Sequence, residues 1–312
     1  MSKRMLFLLN PRAGKGQIRT KLLELVDIFV KADYEVILHP TQAAGDGEEQ
    51  VKKYMGKVDL IVCSGGDGTL DEVVTGIMEC GGDIPIGYIP AGSTNDFASS
   101  LFIPKNMKKA AQAIVDGSLY RCDVGKMNQN IFAYIAAFGL FTDVAYETDQ
   151  DVKNILGHVA YMLEGMKRLF DVKSYYLKVE KEDGEMLEGD YIFGMVTNSR
   201  SVGGFKNLTG KNVDMDDGYF EVTLIRKPRN PLEIQEIMTA ILMAEDTSAL
   251  IDTFKASRLT LESQEAIPWT LDGEYGGDHA VVQIENLHKA MQIYIDGSKK
   301  TKGRKRKEKK DE

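Results

Sequence analysis

The amino-acid sequence predicts two folds in succession: an N-terminal doubly wound parallel α/β domain, then a C-terminal antiparallel domain of β-sandwich type with helical insertions. Three features carry that expectation. Up to Arg121, short apolar runs alternate with stretches of helical periodicity, as in a parallel sheet with helices on both faces. Several of those runs end in loops of glycine and short polar side chains. Beyond Arg121, strand-like segments follow one another with two helical interruptions, the order expected of antiparallel sheet.

Met5 to Leu9 is a strand-length apolar run stopped by Asn10-Pro11, and after it Ile18, Leu22, Leu25, Val26 and Phe29 recur at the helical period. A second strand, Glu35 to Leu38, leads to a helix around Glu48 to Met55. A third, Leu60 to Cys63, leads to a helix from Leu70, where Thr69 and Glu72 have the spacing of a capping box. A fourth, Ile84 to Ile89, leads to Pro90-Ala91-Gly92, after which Ser93 and Asp96 are candidate caps of a short helix. Later strands are expected at Ile131 to Phe138, Ser174 to Val179, Tyr191 to Thr197, Tyr219 to Ile225, Arg258 to Leu261, Val281 to Ile284 and Met291 to Ile295. Helices are expected at Val152 to Phe170 and Leu232 to Met243. The first domain is then 1–121, which 290–298 is a candidate to complete; the second is 122–289, and 299–312 is a disordered basic tail.

With 312 residues, 43% of them hydrophobic, the chain has material for two cores. Its formal net charge of −8 excludes a general nucleic-acid binder, which needs a broad basic face. The charge is uneven: Lys299 to Glu312 holds nine Lys or Arg against three acids, so the tail is +6 and the remainder −14. Such a tail suits peripheral contact with an anionic membrane surface, or is simply a solvated appendage. Cys63, Cys80 and Cys122 have no metal-like spacing and suit reduced thiols in a cytoplasmic protein. Met5 to Leu9 is too short for a signal peptide, and the longest apolar stretch, Ile131 to Phe141, falls short of the ~18 residues of a spanning helix. The edges of the second domain are candidates for pairing in a homodimer.

The run Val58 to Glu72 reads as a buried strand, the turn Ser64-Gly65-Gly66-Asp67-Gly68-Thr69, and a helix start through Leu70 and Asp71. Glycines let backbone approach a polyphosphate, the helix start offers N–H groups to anionic oxygens, and Asp67 is placed to act on a metal or a proton. Asn10-Pro11-Arg12-Ala13-Gly14-Lys15-Gly16 ends the first strand without the spacing of a Walker A loop, and Arg12 and Lys15 either meet phosphate or stay solvated. Gly92-Ser93-Thr94-Asn95-Asp96-Phe97 follows the fourth strand. At the carboxyl edge of one parallel sheet these loops meet in a nucleotide cleft, where Asp67 and Asp96 can hold a hydrated Mg²⁺.

Asn10-Pro-x-x-Gly14, Gly65-Gly-Asp-Gly-Thr69 and Gly92-Ser-Thr-Asn-Asp-Phe97, in this order and spacing, resemble the diacylglycerol kinase catalytic-domain family, in particular its soluble bacterial lipid kinases. The likeness continues through Gly157-x-x-Ala-Tyr161, Asn198, Gly203-Gly204-Phe205, Asp216-Asp217-Gly218 and Leu271-Asp272-Gly273-Glu274, and spans nearly the whole chain apart from the tail. Gly-Gly-Asp-Gly-Thr alone is shared with NAD kinases; the combination is more selective.

The resemblance implies ATP lined by Asn10, Pro11, Arg12, Ala13, Gly14, Thr41, Gly65 to Asp71 and Thr94, a catalytic carboxylate at Glu274, and a lipid acceptor at the membrane surface. It also implies a structural Mg²⁺ held by Asp217 with backbone oxygens near Asp214 and Tyr219. Read from the residues alone, Asp272-Gly273 and Asp217-Gly218 are equally ordinary turns. The chain departs from the family pattern of His-Ala at Asp46-Gly47, Arg at Ser99, Asn at Tyr134, and Pro-x-Ala at Lys211-Asn212-Val213. Two other readings stay open at this stage: a phosphotransferase with a soluble acceptor such as NAD, and a noncatalytic nucleotide- or lipid-binding protein of the same fold.

Overall fold

The computed structural model describes residues 2–14, 16–139, 173–203, 213–243 and 248–297. They form a mixed α/β protein that divides into two compact units, one drawn from Met1–Val124 and His288–Glu312, the other from Gly125–Leu287. The helix expected at Val152 to Phe170, the segment Gly204-Phe205, residues 211–212, Lys15 and the tail lie outside the described residues.

In the first unit the order is β1 (Lys3–Leu9), α1 (Ile18–Lys31), β2 (Tyr34–Pro40), α2 (Asp46–Tyr54), β3 (Leu60–Gly65), α3 (Asp67–Glu79), β4 (Ile86–Pro90), α4 (Asp96–Ser100) and α5 (Met107–Asp116). β5 (Ser118–Met127) then leads out of it, and the end of the last strand, β13 (Glu274–Ile295), returns. Strands β2, β1, β3 and β4 lie side by side in parallel, with Ile293 of β13 joining beside Ile86. β3 is buried along its whole length and β1 from Met5 on, which is why both read as unbroken apolar runs. β2, at the edge, alternates half-buried and exposed positions. α1 packs on α5, α2 on α3 and α5 on β4, and Phe7 meets Phe29 of α1 edge to face at 5.7 Å.

Register decides where the chemistry goes. Leu9 lies beside Pro40 and Ser64, and Gly65 lies beside Pro90. Four strands therefore stop at one edge, and the residues following each emerge together there.

The second unit is antiparallel in every pairing among its described residues. It contains β6 (Asn130–Phe132), β7 (Ile135–Gly139), β8 (Tyr175–Lys181), β9 (Met186–Thr197), β10 (Phe220–Arg226), α6 (Pro231–Met243), β11 (Ile251–Ala256), β12 (Arg258–Leu271) and the first part of β13. β9 pairs with β8 through its first half and with β7 through its second, and β12 divides itself between the same two strands. Hydrogen bonding thus closes on itself through β7, β9, β8 and β12 around a core that includes Phe138, Trp269, Tyr175 and Leu261. Phe138 and Trp269 stand 4.9 Å apart. α6 begins on Asn230, whose side chain accepts from the Leu232 and Glu233 N–H groups, while Glu233 reaches back to the Arg229 N–H.

Several expectations change. The run expected as one strand from Ile131 to Phe138 is two, β6 and β7, parted at Ala133-Tyr134 because those amides turn to a side chain described below. The two strands expected at Val281 to Ile284 and Met291 to Ile295 are one, β13. β5, β11 and α5 were not expected, and the division expected at residue 121 falls inside β5.

Candidate functional site

Asn10 follows β1; its N–H donates to the Ser64 carbonyl and its side-chain oxygen accepts from the Arg12 N–H. This bends Pro11, Arg12, Ala13 and Gly14 back over the strand end. Gly14 has φ +53°, and a Cβ there would lie 2.2 Å from the Ala91 carbonyl oxygen, so only glycine admits the contact between the first and fourth loops. After β2, the Thr41 N–H donates to the Leu9 carbonyl at 2.9 Å.

The Gly65–Asp71 turn sits between these loops. The Gly65 carbonyl accepts from the Ala91 and Gly92 amides at 2.7 and 3.2 Å and from the Tyr88 hydroxyl at 3.3 Å. A Cβ on Gly92 would approach the Gly66 Cα to 2.6 Å. α3 starts at Asp67 on Gly66 with no side-chain cap, so Gly68, Thr69, Leu70 and Asp71 form a first turn whose amide end faces the strand edge. Asn95, at φ +54°, fastens the fourth loop: its side chain accepts from the Gly92 N–H at 2.9 Å and donates to the Gly92 carbonyl at 2.6 Å. Thr94, half-buried, stands beside it.

Two capping expectations are corrected here. Neither Ser93 nor Asp96 caps α4. Instead the Asp67 carboxylate accepts the Asp96 and Phe97 N–H groups at 3.1 and 3.4 Å, which joins the third loop to the helix of the fourth. Thr69 and Glu72 do not form a capping box, because α3 begins two residues before Thr69. Glu72 accepts the Gly45 and Gly47 N–H groups, both at 2.9 Å, at the start of α2. The Asp67 and Asp96 carboxylates both lie close enough to Tyr88 to push its phenol well above the ordinary range, after burial as the larger cause.

The remaining candidates belong to the second unit. Glu274 is exposed and opens β13, directly after the two-residue turn Asp272-Gly273, whose φ values are +51° and +92°. Asp214 and Asp217 are half-buried and Tyr219 is exposed. One Asp217 oxygen accepts the Tyr219 N–H at 3.1 Å, and the other accepts from the Lys255 ammonium at 2.7 Å. Lys255 also stands 3.1 Å from Glu221, whose carboxyl is pushed up to about 7, chiefly by burial and against the pull of Lys255.

No group of three or more His, Cys, Asp or Glu side chains gathers among the described residues. Mg²⁺ beside a polyphosphate needs only one or two carboxylates because it keeps waters and takes phosphate oxygens; of the two expected here, Asp67 is half-buried with its oxygens on two amides and Asp96 is buried. The Asp217 loop does not fit a structural Mg²⁺ as it stands, since Lys255 already supplies the cation. Sequence reasoning missed Lys255 and Glu221, and read Asp272 as a motif and turn residue without a role for its side chain.

A family model described as the diacylglycerol kinase catalytic domain matches residues 4–127. A diacylglycerol kinase of Staphylococcus carnosus (strain TM300) is 33% identical over 296 residues, which cover 94% of this chain and 95% of that one. The chain belongs to the diacylglycerol kinase family. A diacylglycerol kinase of Bacillus subtilis (strain 168) is 34% identical over 279 residues, covering 88% of this chain and 91% of the relative. A crystal structure from Bacillus anthracis str. Sterne superposes with a TM-score of 0.80 at 26% identity over 95% of this chain and 98% of that one. A crystal structure of a diacylglycerol kinase from the same organism has the same fold, with a TM-score of 0.74 at 23% identity.

At three of the positions expected to depart from the family pattern, Asp46, Gly47 and Ser99, the structure shows specific local surroundings. Asp46 pairs with His39 at 2.9 Å, which with the Gln42 N–H holds its carboxyl below the usual range. A Cβ on Gly47 would meet the Glu72 carboxylate at 2.5 Å. Ser99 returns its hydroxyl to the Asn95 carbonyl at 3.0 Å. Nothing in the structure explains Val213.

Proposed function

We propose that the chain is an ATP-dependent lipid kinase transferring the γ-phosphate to the hydroxyl of diacylglycerol or a related lipid, giving phosphatidic acid in the first case. In this reading residues 1–121, with 290–298, form a doubly wound nucleotide-binding domain; 122–289 form a β-sandwich-like lipid domain; and 299–312 are a basic tail. The single observation that carries it is the meeting, at one strand edge, of the loops after β1, β2, β3 and β4. Their glycines pack backbone on backbone, and Asp67 and Asp96 stand beside the uncapped start of α3.

Phosphoryl transfer asks for placement and charge neutralisation more than for covalent help from the protein. The amides of Gly66 to Gly68 and the positive end of α3 receive phosphate oxygens. Asn10 to Gly14, Thr41, Asp71 and Thr94 wall the nucleotide, while Leu70, expected there, is buried in the protein behind the turn. Mg²⁺, when bound with ATP, cancels phosphate charge, with Asp67 and Asp96 orienting its waters. The lipid hydroxyl oxygen forms the new bond to the γ-phosphorus as the bond to the ADP oxygen breaks, and Glu274 takes the hydroxyl proton.

That the relatives from Staphylococcus carnosus and Bacillus subtilis are diacylglycerol kinases favours a lipid over a soluble acceptor. No helix among the described residues is long and apolar enough to cross a membrane. The reading places a cytoplasmic enzyme meeting its substrate at the membrane surface. The test is turnover of labelled ATP with Mg²⁺ against dispersed diacylglycerol and, separately, NAD. The parent phosphorylates the lipid and not NAD, and Glu274→Gln lowers kcat by at least ~10³-fold while ATP still binds. Phosphorylation of NAD alone, or a fully active E274Q, overturns the acceptor or the base respectively.

A further inference from the structure

We propose that Asp272 is the positioning residue for Glu274, fastening the β12–β13 turn to the β6–β7 turn so that the Glu274 carboxylate is held in one place. The inference deepens the reading of Glu274 as proton acceptor and rests on it. Asp272 is 5% exposed, and its carboxylate accepts three consecutive backbone N–H groups, those of Ala133, Tyr134 and Ile135. Its own N–H donates to the Ile135 carbonyl at 2.9 Å. The β6–β7 turn is gripped from the other side as well: the Tyr134 carbonyl accepts the Thr197 hydroxyl at 2.7 Å and the Asn198 N–H at 2.9 Å. Glu274 stands two residues from this clamp, at the tip of a hairpin.

A turn alone does not call for aspartate here. Two-residue hairpin loops with both residues at positive φ accept Asn-Gly as well as Asp-Gly, and Asn tolerates the left-handed region at least equally. What Asp adds is acceptor capacity. A carboxylate offers two oxygens and about four lone-pair sites, whereas an amide offers one oxygen and an NH₂ that would oppose an incoming N–H. Three inward-pointing amides select the carboxylate, and hydrogen bonds to a charged acceptor are about twice as strong as neutral ones. An unanchored hairpin tip is a poor platform for a proton acceptor, because a displacement of ~1 Å costs ~10²-fold in rate.

The test uses the full chain with ATP, Mg²⁺ and diacylglycerol in mixed micelles, comparing parent, D272N, E274Q and the double variant. The expected result is a kcat for D272N lower by roughly 10²-fold, a KM for ATP within about twofold of the parent, and a double variant no slower than E274Q alone. That non-additivity separates positioning of Glu274 from a general loosening of the unit, which would slow the double variant further. A D272N kcat within about twofold of the parent, or additive losses, overturns the proposal. If D272N does not fold, Thr197→Val loosens the same turn while keeping Asp272, and an unchanged kcat there overturns it equally. A fully active E274Q beside a slow D272N removes Glu274 as the base and this role of Asp272 with it; a slow E274Q beside a fully active D272N removes only the latter.

Discussion

Gly92 shows how little space the site leaves at the level of single atoms. A methyl group there would fall 2.6 Å from the Gly66 Cα, with Asn95 Oδ1 at 3.0 Å on another side. The first obstacle is backbone, which cannot rotate away as a long side chain can. Gly92→Ala is therefore expected to push the two phosphate-facing turns apart, lowering stability by about 1–3 kcal/mol and weakening ATP binding by more than about tenfold, which corresponds to ~1.4 kcal/mol. Thermal unfolding and ATP titration read the two effects, and parent-like affinity in G92A would show that the turns do not need their present spacing. The residue types at this edge are legible in the sequence, because glycine and aspartate clusters after apolar runs carry their own physical signature. Their partners are not. That Asp67 serves the amides of α4, and Glu72 those of Gly45 and Gly47, depends on which loops the sheet order makes neighbours, and spacing along the chain does not encode that.

Legibility followed an unbroken apolar pattern more than burial, since β5, buried from Cys122 to Gly125, was not expected while the edge strand β2, with no buried residue, was. β1, β3 and β4 are buried on both faces and announce themselves as apolar runs, whereas β11 alternates with polar residues and β12 carries the polar stretch Glu262 to Ala266 through its middle. The strand pair β10–β11 holds the charge that composition hid. Glu221 lies opposite Lys255 in register, and Asp217 shares the ammonium. Burial raises the Glu221 carboxyl from 4.5 to about 7, so the fold favours its protonated form. The stability this provides is fully present below the ordinary carboxylate value near 4.5 and is lost as pH rises through 7. Between pH 5 and 8 the parent is accordingly expected to lose on the order of 2 kcal/mol through this group. Glu221→Gln, neutral throughout, flattens that slope, which urea unfolding at a series of pH values measures. An unchanged slope would mean that Lys255 keeps Glu221 ionised across the whole range.

At the scale of the whole molecule, an acidic body has to reach a lipid. Without its last fourteen residues the chain carries −14, while those residues carry +6. An anionic leaflet repels the former and attracts the latter, with each Lys or Arg near the surface contributing ~1 kcal/mol. Nine such residues against three acids are expected to support reversible attachment, and both forces fade within a Debye length of ~8 Å at physiological salt. The tail should therefore decide where the enzyme sits and leave the chemistry to the two units. A chain ending at Gly297 is expected to stay in the supernatant with vesicles of phosphatidylcholine and phosphatidylserine under conditions where the full chain sediments. Raising salt to about 0.5 M should release the full chain too. Toward a short-chain, water-dispersed diacylglycerol the two forms should share one kcat, because no residue after Gly297 takes part in the proposed transfer. Equal sedimentation of both forms would assign membrane contact to the folded units, and a slower truncated enzyme on the dispersed substrate would give the tail a part in the transfer itself.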